Sequence, residues 1–78
     1  MTLQEAKNLK HGTIVYHKVK RNADKSPMRA KVTSVKTWKR FPERVEIGLK
    51  HGLYDYAKFN QNELDVLTTD ENEAKQGI

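Results

Sequence analysis

The side chains in this sequence that could do chemistry are mostly basic groups set among aromatic rings, and they are densest between Val35 and Val45. That stretch holds the one tryptophan, Trp38, one of the two phenylalanines, Phe41, and the basic residues Lys36, Lys39, Arg40 and Arg44. A ring offers a face on which a base can stack, and an ammonium or guanidinium group neutralises a phosphate, so the combination points first to nucleic acid. The candidate contacts are Lys20, Arg21, Arg29, Lys36, Trp38, Lys39, Arg40, Arg44, Lys50 and Tyr54. Core packing competes for the same rings, because a small protein with few aromatics spends most of them inside. Tyr54 and Tyr56 share one face of an alternating run, opposite Ala57 and Phe59. If the latter pair faces the core, the tyrosines become an outer aromatic pair beside Lys50 and Lys58.

Other chemistries find little support. His11, His17 and His51 lack the i, i+4 spacing of a zinc helix and have no cysteine beside them. Ser26 and Ser34 lie in no G-x-S-x-G context, and no glycine-rich loop is present to cradle a phosphate. Glu43 and Glu46 are better placed to pair with neighbouring Lys or Arg than to act as an acid–base couple. No catalytic residue, metal ligand or cofactor is therefore expected, and the reading is of a binding protein rather than an enzyme.

The elements that must position these residues are few. A chain of 78 residues, 36% hydrophobic, makes one domain. A domain of that size buries only about 60% of the surface its unfolded chain exposes, which leaves no room for an internal pocket of roughly 300 Å³ or more. With no cysteine, neither disulfides nor thiolate metal sites support the fold. No apolar run approaches the roughly 18 residues of a membrane span, and the opening residues Met1–Lys7 lack the apolar centre of a secretory signal. A cytoplasmic location without membrane contact is expected. The net charge of +5 hides an asymmetry: residues 1–62 carry 14 Lys/Arg against 5 Asp/Glu, and residues 63–78 carry 1 against 5. A basic body with an acidic end suits a polyanion binder whose tail screens or competes for its own surface.

In chain order, Thr2-Leu3-Gln4-Glu5 has the form of a capping box opening a short helix over residues 2–9, ended at Gly12. Thr13–Val19 reads as a first strand, followed by a long polar loop over residues 20–27. From Met28 to Thr37 the chain is extended again, but Ala30 and Val32 share a face that Val35 leaves, which predicts a bulge near Thr33-Ser34. Arg44–Lys50 alternates cleanly and Leu53–Phe59 follows a tight His51-Gly52 turn. A capped 3₁₀ turn over residues 60–65 precedes a last short strand at residues 66–68. The predicted fold is mainly β: a small five-stranded barrel over residues 1–69, with an acidic disordered tail over residues 70–78.

One internal likeness stands out. Leu9-Lys10-His11-Gly12 recurs as Leu49-Lys50-His51-Gly52, followed at equal distance by Tyr16 and Tyr56 and by Lys18 and Lys58, six matches in ten positions. Two copies are too few for a solenoid, so chance or a shared strand-opening turn is the expectation.

The order of elements resembles that of SH3-like barrels, including Tudor- and KOW-type members. The stretches His11-Gly12-Thr13, Arg21-Asn22-Ala23-Asp24, Arg29-Ala30, Thr37-Trp38-Lys39-Arg40 and Lys50-His51-Gly52-Leu53-Tyr54 also resemble short, functionally uncharacterised proteins of bacteriophage and prophage genomes. The likeness spans roughly residues 9–67 and implies a small host-cytoplasmic module without implying a ligand. A methyl-lysine cage is not expected, because only Tyr54, Tyr56 and Asp55 can be placed together. The leading expectation is a non-enzymatic module that binds DNA or RNA. The alternative is a protein-binding module that docks on and redirects a host enzyme or complex.

Overall fold

A computed structural model describes residues 1–53 and 55–76. Five antiparallel strands form one sheet in the order β4-β3-β2-β1-β5. They are β1 (Ile14–Arg21), β2 (Pro27–Trp38), β3 (Phe41–His51), β4 (Asp55–Asn60) and β5 (Leu67–Thr68). Helix α1 (Leu3–Lys7) precedes the sheet, a 3₁₀ helix (Gln61–Val66) joins β4 to β5, and α2 (Glu71–Gln76) follows β5.

The local signals act as their chemistry requires. The Thr2 hydroxyl accepts from the Glu5 amide while the Glu5 carboxylate accepts from the Thr2 amide, which closes the capping box and holds the Glu5 carboxyl below its ordinary range. Asn60 and Glu63 make the same reciprocal pair at the 3₁₀ helix. The β2–β3 register slips between Val32 and Ser34, where the change in apolar phase demands it. Gly48 faces that bulge, and a Cβ there would sit 2.5 Å from the Ser34 hydroxyl oxygen and 2.9 Å from that of Thr33. The residue's small size is what lets the bulge close.

Alternation sends Val15, Val32, Val45, Ile47 and Leu49 to one face of the sheet, where Ala6, Leu64 and Leu67 complete the core. The terminal ammonium of Met1 donates to the Leu64 and Leu67 carbonyls, tying α1 to the last strand. The other face of the sheet is left for charge and rings.

Two expectations need correction. β1 runs on to Arg21, which pairs with Pro27, so Lys20 and Arg21 stand on a strand and the loop shrinks to Asn22–Ser26. The composition predicts disorder over residues 70–78, yet Glu71–Gln76 form a helix with Ala74 fully buried. Asp70 caps it by accepting from the Asn72 and Glu73 amides, and Glu71 and Lys75 pair one turn apart. The helix forms because β1 and β5 provide a surface for it; six residues would not hold one alone. Gly77 and Ile78 lie outside the described residues.

Candidate nucleic-acid interface

The outer face of the sheet is built by the register. Pairing sets Ile14 beside Lys31 and Tyr16 beside Arg29, then Lys31 beside Lys50 and Lys50 beside Tyr56. Further along, Ser34, Gly48 and Lys58 form one row, and Lys36, Glu46 and Asn60 the next. Arg29, Lys31, Lys36, Arg44, Lys50 and Lys58 thus share one side. Among the described residues of the β2–β4 rows, Glu46 is the one carboxylate on that side, and it lies 3.7 Å from the Lys58 ammonium.

Two aromatic positions sit toward opposite ends of this strip. Beyond Val32 the β2–β3 hairpin has no partner from β1, and beyond the Lys36–Glu46–Asn60 row none from β4, so its tip is a two-stranded arm ending at the Lys39-Arg40 turn. Trp38 is half-buried at the tip, with the Arg44 guanidinium 4.5 Å and the Lys36 ammonium 5.2 Å from its ring centroid. Arg44 also lies 5.6 Å from the ring of Phe41, which is 47% exposed. Neither ring is sealed in the core, because a two-stranded arm has too few neighbours to cover them. At the other end Tyr56 is 63% exposed, with the Lys50 ammonium 5.6 Å from its centroid. Such contacts contribute about 0.5–1 kcal/mol each at exposed sites and hold the cations beside the rings.

Between these ends, Ile14, Arg29, Lys31, Lys50 and Leu53 line a groove of about 320 Å³. Its three cations form no ion pair among the described residues.

Of the candidates from sequence, Arg29, Lys36, Trp38, Arg44 and Lys50 meet on this face, and Lys39 and Arg40 extend it at the arm's tip. Arg21 is engaged elsewhere, donating from Nη2 to the carbonyls of Lys18 and Ala74. Lys20 lines a recess on the core side. Tyr54 lies outside the described residues. Lys31 belongs to the face and was missing from the candidates, whereas Tyr56 and Lys58 lie where the condition that Phe59 face the core puts them, outward beside Lys50.

The recess containing Lys20 has a volume of about 120 Å³ over Val15, Leu49, Phe59 and Leu67. His17 and His51 stand beside it with opposite tautomers. His17 Nδ1 accepts from the amides of Val19 and Lys20, whereas His51 Nδ1 donates to the Arg29 carbonyl. Burial, helped by the Lys20 charge, holds the His17 imidazole below its ordinary pKa. No group of three or more His, Cys, Asp or Glu side chains that could hold a metal ion occurs among the described residues. No helix among them is long and apolar enough to cross a membrane.

On the β1 side of the outer face, α2 covers what would otherwise be open. Glu73 pairs with Lys18 at 2.8 Å and accepts from the Thr68 hydroxyl, while the Tyr16 hydroxyl donates to Glu71 at 3.0 Å. The Lys18 contact holds the Glu73 carboxyl below its usual range, Lys75 and then Tyr16 do so for Glu71, and the bond to Glu71 raises the Tyr16 phenol.

No family model, curated protein or solved structure matches the chain.

Proposed function

We propose that this is a non-enzymatic nucleic-acid-binding module that lays a strand across the outer face of β2, β3 and β4. The observation that carries the reading is the convergence of Lys36, Arg44, Lys50 and Lys58 with the rings of Trp38 and Tyr56 on one side of the sheet. Phosphates meet the ammonium groups, and bases stack on Tyr56 or against the Arg44–Trp38 pair, whose guanidinium plane is itself a stacking surface. Exposed rings favour unpaired bases, since a duplex keeps its base faces covered. The strand order and the 3₁₀ turn before β5 support the resemblance to SH3-like barrels, a fold that does not by itself choose a ligand.

Titration with single-stranded and duplex DNA and RNA at about 50 and 200 mM salt, read by Trp38 fluorescence, tests this. The expected result is binding that weakens with salt, log K falling by about 0.7 per single-strand phosphate neutralised for each unit of log salt. Absence of binding to every probe at the lower salt would overturn the proposal.

One observation favours a second reading. β4 ends the sheet, and its outer edge pairs with no strand among the described residues, so an extended segment of a host protein could add there. A stoichiometric protein partner retained from nuclease-treated bacterial lysate would select that reading over the first, and its loss on nuclease treatment would select the first.

A further inference from the structure

The two copies of the internal sequence likeness occupy equivalent places. Gly12 and Gly52 both take positive φ, +89° and +74°, in the turns that lead into β1 and β4. A tyrosine and then a lysine follow at the same spacing in each strand. Tyr56 and Lys58 lie on the open part of the outer face. Tyr16 and Lys18 stand under α2, and the groups that meet them are the carboxylates of Glu71 and Glu73.

We propose that α2 covers a second copy of the strand-binding surface, with Glu71 and Glu73 standing where phosphates would sit, and that a bound nucleic acid displaces it. The proposal rests on the polyanion reading above and extends it to Tyr16, Lys18 and Arg29. Tyr16 is the cross-strand neighbour of Arg29, which lines the groove with Lys31 and Lys50, so the covered and open surfaces are continuous. The helix is built to leave. It has six residues, too few to persist undocked, and Ala74 is its one buried residue. Its remaining contacts with the sheet are one ion pair, Glu73 to Lys18, and hydrogen bonds in which Tyr16, Thr68 and Arg21 donate to acceptors on α2, and phosphate oxygens are acceptors that can take their place. The covered site is therefore an intramolecular competition between a tethered acidic segment and a free strand.

The test uses the full chain with Glu71→Gln and Glu73→Gln together, and a control with the same charge change elsewhere, Glu43→Gln and Glu63→Gln. The probe is a single-stranded oligothymidylate of about twelve nucleotides. The expected result at about 50 mM salt is roughly tenfold tighter binding for the α2 variant and less than about threefold for the control, since the α2 changes remove the Lys18–Glu73 ion pair and weaken the bonds from Tyr16 and Thr68, whereas the control leaves the docking contacts intact. In the unmodified protein, amide-exchange protection over residues 71–76 should fall on saturation with the probe while β1 stays protected. Equal gains in both variants, or α2 amides still protected at saturation, would overturn the proposal while leaving the open face as a binding site. If neither the protein nor its variants bind, the polyanion reading itself fails.

Discussion

Two strands of this sheet open alike and end in opposite circumstances. β1 and β4 each follow a left-handed glycine and each present tyrosine and then lysine, but β1 meets an acidic helix and β4 meets solvent. The Lys18 side chain is 16% exposed and the Lys58 side chain 75%. The difference does not come from the strands. It comes from the chain that follows β5, whose Asp70, Glu71 and Glu73 supply a cap and two carboxylates beside a surface that already carried the opposite charge. A charged surface in a small domain can be neutralised from within, and which half stays open is then decided by the topology that brings the C-terminal segment back to β1.

The sharpest way to break the comparison is to remove what both halves share. Ile47 is fully buried on β3, opposite Phe59 of β4 and Val35 of β2. Ile47→Ala should cost about 2–5 kcal/mol, a large share of the roughly 4–12 kcal/mol such a domain has. Chemical denaturation should then show both surfaces lost in one transition. Two separate transitions would mean that β1 and β4 belong to different cooperative units.

Next in size is the loss of a ring. On the proposed function, Tyr56→Ala should weaken binding of a single strand by about 1–3 kcal/mol, as should Trp38→Ala. Tyr16→Ala should cost less in the unmodified protein, where it also removes the hydrogen bond that holds Glu71 on the sheet, and approach the Tyr56 effect once Glu71 and Glu73 are glutamines. Titration by fluorescence anisotropy measures all of these. A Tyr16 effect that ignores the state of α2 would dissolve the equivalence of the two strands.

How much of this was legible in the sequence depended on the range of the interaction. The caps at Thr2 and Asn60 and the bulge at Thr33-Ser34 are set by residues within a few positions of one another, and the sequence shows them. The outer face needed only alternation once β3 and β4 were aligned, which is why Tyr56 and Lys58 were within reach. What escaped was long-range. Arg21 looked free because its acceptor, the Ala74 carbonyl, is 53 residues away. The tail looked disordered because composition cannot show that Lys18 and Tyr16 wait for it, although Asp70-x-x-Glu73 already had the form of a helix start. Trp38 could be placed in the core or outside with equal logic until the β2–β3 pairing outran β1 and left the arm uncovered.

A smaller effect separates the halves by pH. The Lys18 contact lowers the Glu73 carboxyl, and Lys75 within the helix and then Tyr16 on β1 lower that of Glu71, so the docked helix is favoured above the ordinary carboxylate range and loses that advantage as pH falls through the lowered values. Amide chemical shifts of Ala74 followed from pH 6 to about pH 3 should report undocking before the sheet unfolds, while Ala57 on β4 stays unchanged over the same steps. Simultaneous change at both positions would show that the helix does not separate from the sheet.

The smallest effect belongs to His17, which sits on the covered strand but faces the core side. Its Nδ1 accepts from two backbone amides, and burial lowers its folded pKa below the ordinary 6.5. Between those two values the unfolded chain binds more protons than the folded one, so stability rises with pH through that window and levels off above about pH 6.5. The imidazole is only partly buried, which limits the gain to a fraction of a kcal/mol after solvent screening. Thermal unfolding between pH 5 and about pH 7.5 should show a shallow upward slope, and His17→Asn, which keeps an acceptor near the two amides without a titrating ring, should flatten it. A slope that survives the substitution would assign the pH dependence to another group and leave His17 a purely structural acceptor on β1.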